Sequence, residues 1–406
     1  MRVRLTFLCV AWFLAAMPAR AQSLPDKPIQ LAGGQVTVSG EVVGAIAPRD
    51  DRSFFDYTDY EHNALRLFRV SFTGSWHPSD RFAVLAEIRS EDLEVPIAYA
   101  LYVRVRPWKD RAFDVQAGRI PPVFGAFGRR AYAYDNPLIG YPLAYQYLTS
   151  LRPDALPATA DDLLAVRAHG WRAVFPVGNP ASAPGVPVMS VYRWDTGVEG
   201  HLQSSAFDIA ASVTTGTLSD PRIDDDNGGR QVAARVAWHP IVGLIVGASA
   251  ARGDWVSDAV KGQLPQALQN RSYPQTALGM DAEYSRGYFV VRGELIASRW
   301  TLPALDAPVL AGPVRATGAY LEGQYRLTPR FFAAARVDHL GFSRITGTRF
   351  GGAPTPWDAP VSRVEAGGGV YLQRNVIGRV VVQRNWREAG AGSPETFVSG
   401  QLSYWF

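Results

Sequence analysis

Phe68-Arg69-Val70-Ser71-Phe72-Thr73-Gly74-Ser75-Trp76 places an apolar residue at every even position except Gly74 and a polar residue at every odd one. A period of two marks a β-strand with one apolar and one wet face. After His77-Pro78-Ser79-Asp80, which reads as a short turn, Phe82, Val84, Ala86 and Ile88 alternate with Leu85, Glu87 and Arg89. The unit recurs: Tyr99, Leu101, Val103 and Val105 stand against Tyr102, Arg104 and Arg106, and Leu321, Gly323, Tyr325 and Leu327 against Glu322, Gln324 and Arg326. Beyond the first residues, the longest apolar run, Ile241 to Ala251, has eleven residues. That is strand length, short of the roughly 18 that a spanning helix requires.

Connections alternate between short and long. Short ones are read at His77–Asp80, Pro107–Arg111, Gln203–Ser205, His239–Pro240, Ser285–Gly287, Thr328–Arg330 and Arg374–Asn375. Long ones, rich in Pro, Gly and Asp, are read at Ala47–Asn63, Arg119–Pro187, Leu218–Gly229, Gly253–Gln275, Thr301–Val314, Ser343–Pro360 and Arg387–Pro394. Sixteen strands fit between Gln35 and Phe406, an even number, with the last (Thr396 to Phe406) able to close on the first (Gln35 to Ile46). Short turns at one end and long loops at the other are the rhythm of a transmembrane antiparallel β-barrel. A soluble sandwich or solenoid would explain the alternation but not this rhythm.

The two ends of the chain agree. Arg2 and Arg4, an apolar stretch from Leu5 to Met17 and the small-x-small site Ala19-Arg20-Ala21 read as an export signal over residues 1–21. Residues 22–34 then form a short periplasmic segment, too short for a plug domain, and the barrel occupies 35–406. Cys9 lies inside the signal, so the exported chain has no thiol and no disulfide. Aromatic residues make up 12% of the chain, with 11 Trp, 17 Tyr and 19 Phe, while mean hydropathy is only −0.06. A barrel shows lipid only alternate residues and gathers aromatics in two girdles, so both values fit.

The connection from Arg119 to Pro187 far exceeds a plain turn and carries Phe124, Phe127, Tyr132, Tyr134, Tyr141, Tyr145, Tyr147 and Trp171. Such a load must be buried, and in a barrel with an aqueous lumen it can fold into the lumen as a constriction or cap it. Within it, Trp171 to Phe175 could form an extra strand outside the wall.

Sixteen strands with the long loop after the fifth resemble the trimeric porin superfamily of bacterial outer membranes. Gly118-Arg119-Ile120-Pro121-Pro122-Val123-Phe124-Gly125 is similar to the Gly-Arg…Pro-Phe-Gly turn of phosphate-selective (O/P-type) porins, and Asp195-Thr196-Gly197-Val198 to that family's Asp-x-Gly-Val segment. Pro121 stands where the family often has a basic residue, and Val123 precedes Phe124 where the family has Pro. The C-terminal strand resembles the barrel-assembly signal, with Leu402, Tyr404 and Phe406 on the lipid face. The resemblance implies a passive diffusion channel and a homotrimer in the outer membrane, with lipid, lipopolysaccharide, the barrel-assembly machinery and small hydrophilic solutes as partners.

With apolar residues turned outward, inward arginines and carboxylates nearly balance. Arg69, Arg89, Arg104 and Arg106 nonetheless form a basic cluster on strands two to four, and the long loop adds Arg119, Arg129 and Arg130; Glu87 and Asp114 are their acidic counterparts. Charge rings set ion preference in pores, so a modest anion bias is one reading; pairing of these groups into a rigid wall is the other. The sequence pI near 9.1 points to no nucleic acid in an exported barrel.

Enzymatic chemistry has little to stand on. The six histidines are scattered, and the one acid–His neighbour pair, Asp338-His339, would point to opposite faces of a strand. Asp224 to Gly229 suggests calcium, yet Arg235 stands where an EF-hand needs its twelfth-position Glu. No metal or cofactor is expected. The alternatives to a channel are a sealed surface-interaction barrel and an outer-membrane hydrolase.

Overall fold

A computed structural model describes residues 24–58, 60–108, 112–130, 132–192, 194–390 and 394–406. The export signal with Cys9 and residues 22–23 lie outside the described residues. The wall strands are β1 Val36–Ile46, β2 Phe68–Ser79, β3 Phe82–Glu91, β4 Ile97–Val105, β5 Phe113–Ile120, β6 Asp195–Gln203, β7 Phe207–Thr214, β8 Gln231–Ile241, β9 Leu244–Asp254, β10 Pro274–Arg286, β11 Phe289–Trp300, β12 Val314–Arg326, β13 Phe331–Phe342, β14 Val361–Gln373, β15 Val376–Arg387 and β16 Glu395–Trp405. Each pairs antiparallel with the next, and β16 returns to β1 with Glu41 opposite Trp405 and Ile46 opposite Gly400. The sheet therefore closes as a sixteen-stranded barrel with no free edge. A three-residue strand, Ile29–Leu31, folds back along the start of β1.

Alternation sorts the side chains. On β12, Val314, Ala316, Gly318, Tyr320 and Glu322 are buried inside, while Arg315, Thr317, Ala319, Leu321 and Tyr325 are exposed outside. Phe72, Trp76, Trp238, Leu278, Met280 and Leu295 are likewise exposed on the outer face, whereas Arg89, Arg336, Arg363 and Glu365 are buried. This is the inverse of a soluble β-protein and the distribution of a wall with lipid outside and polar groups within.

At the seam, the Phe406 N–H donates to the Gly40 carbonyl at 3.0 Å and the Gly40 N–H to the Phe406 carbonyl at 3.2 Å. A Cβ at Gly40 would run into the Phe406 ring, so the missing side chain is what seats it. The Tyr404 and Phe406 rings stack at 6.1 Å, and Leu402, two residues before Tyr404, shares their outer face.

Some strand ends differ from expectation. β2 runs on through His77, Pro78 and Ser79, so the turn falls at Asp80–Arg81. β8 runs through His239 and Pro240 to Ile241, and the tight turn is Val242-Gly243. The apolar run Ile241 to Ala251 is thus split between two strands. Gly243 has φ 86°, which a side chain would strain. Between β3 and β4, where no loop was read, residues 92–96 connect the strands; the stretch lacks the Pro/Gly/Asp density of the other loops. In β4, Tyr99 falls at a bulge between the Glu87–Ala100 and Ile88–Ala98 pairs. The extra residue turns its ring inward instead of outward, and Tyr99 is buried.

Candidate functional site: a constriction of the lumen

The long connection runs from Pro121 to Trp194, because Arg119 and Ile120 still pair within β5 and the next strand starts at Asp195. Its first part folds into the lumen. Phe124, Phe127, Leu138, Leu143 and Tyr145 are buried, with short helical turns at Phe127–Arg129, Ala133–Asp135 and Leu143–Gln146 carrying the chain across. No extended partner is at hand there, so the backbone polar groups bond to wall side chains. The Gly125 N–H donates to Ser249 Oγ on β9 at 3.1 Å, the Ala126 N–H to Glu294 on β11 at 3.1 Å, and the Ala133 N–H to Glu41 on β1 at 2.9 Å. The Gly140 N–H donates to Glu365 on β14 at 3.1 Å, and the Gly140 carbonyl accepts from Arg336 on β13 at 2.6 Å. Side chains reinforce the crossing: the Tyr132 hydroxyl donates to Glu87 at 2.7 Å and the Tyr145 hydroxyl to Glu294 at 2.9 Å. One strip of chain is thereby tied to opposite sides of the barrel.

Beneath these ties lies an ion-pair network. Arg336 reaches Glu322 at 3.2 Å, Asp338 at 3.0 Å and Glu365 at 2.6 Å. Glu322 also holds Arg130 of the loop at 2.6 Å, and Arg130 lies over the Phe127 ring. Arg363 bonds to Asp56 at 3.0 Å and to the Tyr141 carbonyl at 3.1 Å. Asp56 belongs to the loop of residues 47–67, so a second loop also dips inside; the aromatic run Phe54-Phe55-Asp56-Tyr57 was its sequence signal.

The rest of the long loop caps the loop end of the barrel. Leu151, Leu156, Leu163 and Phe175 pack with Trp255, Val260, Trp300 and Trp357 from the loops and strand ends around them. Arg152 is buried as the strut of this cap, bonded to Asp154 and to the carbonyls of Ala173 and Ala181. Asp358 accepts from the N–H groups of Ser150, Ala168 and Ala359, and its burial holds the carboxyl above the ordinary range although those donors pull it down. In the first loop, burial and the neighbouring Asp56 push Asp50 up to about 7. Trp171 to Phe175 is not a strand: Gly170–Arg172 is a helical turn, and the two-residue strand Val177–Gly178 pairs with Ala155–Leu156. Asp225 and Asp226 pair with Arg230 and Arg222, and no cluster suited to a metal occurs among the described residues.

The expected basic cluster divides. Arg69 pairs with Glu91 at 2.6 Å, and Arg89 pairs with Glu87 at 2.9 Å beneath the Tyr99 ring; both arginines are buried toward the loop end. Arg104 and Arg106 stand at the turn end, where they line one cavity of about 400 Å³ with His77 and Arg81. Strand direction separates the two pairs, since β2 and β4 descend while β3 ascends. Arg119 does not face the lumen: it pairs laterally with Leu101, an exposed outer-face residue, while its neighbours Gly118 and Ile120 take the inner positions. Arg130 is a buried anchor. Arg129 keeps solvent, with 46% of its side chain exposed, and reaches Asp208 on β7 at 3.2 Å. Asp208 in turn meets His201 at 2.9 Å, and His201 lies 3.6 Å from Asp114. This acid–His group was not visible in the sequence because its members sit on three different strands. Asp338 and His339 do point to opposite faces, toward Arg336 and Ser362 respectively.

The loop ties described above reach β1, β3, β7, β9 and β11–β14. Along β4–β6, Tyr102, Arg104, Gln116 and His201 point inward and keep partial solvent contact.

No family model matches the chain, and no curated protein matches it in sequence. Solved structures do match in shape. An anion-selective porin from Comamonas acidovorans superposes with a TM-score of 0.54 at 11% identity, covering 91% of this chain and 99% of the porin. OmpF of Salmonella typhi, in complex with daunomycin, gives 0.53 at 12%, covering 94% and 100%. The trimer form of OmpT, an outer membrane protein of Vibrio cholerae, gives 0.52 at 10%, covering 91% and 99%. The chain thus has the sixteen-stranded barrel fold of these proteins.

Proposed function

We propose that the protein is an outer-membrane channel of the porin type, passing small hydrophilic solutes down their gradient through a lumen narrowed by residues 121–146. The turn end faces the periplasm and the loop end the exterior. The observation that carries this reading is the strip of loop tied to both sides of a closed barrel, beside a water-contacting sector lined by Tyr102, Gln116, His201 and Arg129. Planar-bilayer recording of the purified protein is the test. A second reading, a sealed surface-interaction barrel, draws on the buried cap built around Arg152, Trp300 and Trp357; it is favoured if the folded protein does not conduct.

Ion preference in this account rests on few groups. Arg69, Arg89, Arg130 and Arg336 are buried against carboxylates, so the modest anion bias falls to Arg104 and Arg106, joined by Arg129, which meets Asp208 at 3.2 Å but keeps about half of its side chain in solvent. Replacing both Arg104 and Arg129 by Glu is expected to move the reversal potential in a salt gradient toward cation preference. An unchanged potential would place these arginines off the ion path. Specificity for phosphate is no part of the proposal.

Assembly follows from the seam. We take Leu402, Tyr404 and Phe406 as the signal read by the barrel-assembly machinery. Deleting Phe406, or Phe406→Asp, removes the ring over Gly40 and is expected to leave protease-sensitive protein in the periplasm. Undiminished outer-membrane yield with heat-modifiable migration would contradict this. The small outer-face residues Ala333 and Gly368, paired with one another, and Ala335 and Ala366, likewise paired, offer a smooth wall for a homotrimer. Cross-linking in native membranes is expected to yield trimers, and monomers alone would refute the association.

A further inference from the structure

One polar row interrupts the outer face of β9–β12 near the loop end. Register puts Arg252 opposite Thr276, Thr276 opposite Arg299, and Arg299 opposite Arg315. All three arginines are exposed. Among the described residues none of them is in an ion pair; of the acids on adjoining loops, Asp254 pairs with Lys261 and Asp225 with Arg230, while Asp306 is exposed on the loop between β11 and β12. Two like charges directly opposite on neighbouring strands repel, so Arg299 and Arg315 are unfavourable as they stand. A shared anion removes that penalty.

The depth of the row identifies the setting. Below it the outer face is apolar: Ala250, Leu278 and Ala297 come first, then Met280, Leu295 and Ala319, then Val246 and Leu321, ending at Tyr284, Phe289 and Tyr325. From Arg252 to Leu244 the strand covers roughly 26 Å at ~3.3 Å per residue, or about 20 Å along the barrel axis at a tilt of ~40°. A lipid-facing band is about 25 Å tall, so aromatic residues mark its lower border and the arginines its upper one. At ~4.8 Å between strands the row spans about 14 Å, wide enough for two phosphate groups. The guanidinium fork matches phosphate oxygens in pairs.

We propose that Arg252, Arg299 and Arg315 form a binding site for the phosphorylated headgroup of an outer-leaflet lipid bearing two phosphates, whose acyl chains lie on the apolar band beneath. The proposal rests on the reading of the barrel as membrane-embedded. Purified protein in detergent micelles is mixed with diphosphoryl lipid A, monophosphoryl lipid A or a phosphatidylcholine, and retained lipid is counted by native mass spectrometry. The intact protein is expected to retain the diphosphoryl lipid most strongly, and Arg252→Ser with Arg299→Ser and Arg315→Ser to weaken that retention by about a hundredfold. Arg326→Ser, at the other end of the barrel, is the control and is expected to change nothing. Equal retention by the triple variant, equal retention of phosphatidylcholine, or full displacement by inorganic phosphate at millimolar concentration would overturn the site. Insertion into liposomes is measured in parallel: failure of the intact protein to insert would sink the membrane reading itself, whereas a triple variant that inserts and still binds sinks only the site.

Discussion

Deleting Tyr132 to Ala160 is expected to raise single-channel conductance several-fold. A sixteen-stranded wall encloses an aqueous lumen unless something fills it, and here the filling is the strip that bonds to Glu41, Glu87 and Glu365. The same deletion removes Thr149 and Arg152, which fasten the cap to the carbonyls of Val186, Ala173 and Ala181. Constriction and cap should therefore loosen together. Once the strip is gone, water replaces the lost donors, and Glu87, Glu322 and Glu365 keep Arg89 and Arg336, so the wall is not left with dry, unpaired charges. A deletion variant that shows heat-modifiable migration yet conducts like the intact protein would put this strip outside the conduction path.

Arg336→Met is expected to cost about 3–5 kcal/mol of barrel stability. Glu322, Asp338 and Glu365 are all buried and converge on that one guanidinium, which also holds the Gly140 carbonyl of the loop. Removing it leaves three carboxylates facing one another, with Arg130 and Arg292 remaining near Glu322 among the described residues. The midpoint of urea unfolding in lipid vesicles is the readout, and adding Glu365→Gln to Arg336→Met should recover part of the loss by removing one of the stranded charges. An unchanged midpoint for the single variant would mean that lumen water, and not Arg336, compensates these acids.

The wall was legible because its rule is local: a residue's face follows from its parity, and Phe68 to Trp76 or Leu321 to Leu327 can be sorted without knowing their neighbours. Strand ends were less legible. His77-Pro78-Ser79 and His239-Pro240 have the composition of turns, yet both remain extended, since pairing with the adjacent strand outweighs turn preference. Tyr99 was misplaced for a related reason, because a bulge adds a residue without any mark in the sequence. The inward course of the long loop could be inferred from Phe124, Phe127, Tyr132 and Tyr145, whose burial had to be met somewhere. Which wall group each would meet could not, because partners such as Glu294 for Tyr145 or Glu322 for Arg130 are brought together only by closure of the barrel. The same holds for the basic cluster: Arg69 and Arg89 are near Arg104 in sequence but lie toward the opposite end of the wall, and Arg119 sits one residue out of phase with the lumen.

The most direct test of the channel itself is a planar-bilayer recording from the purified, intact protein in mild detergent. The account predicts stepwise conductance increments, smaller than those of the Tyr132–Ala160 deletion variant under the same salt. Absence of any increment from protein that is demonstrably folded and inserted would contradict it.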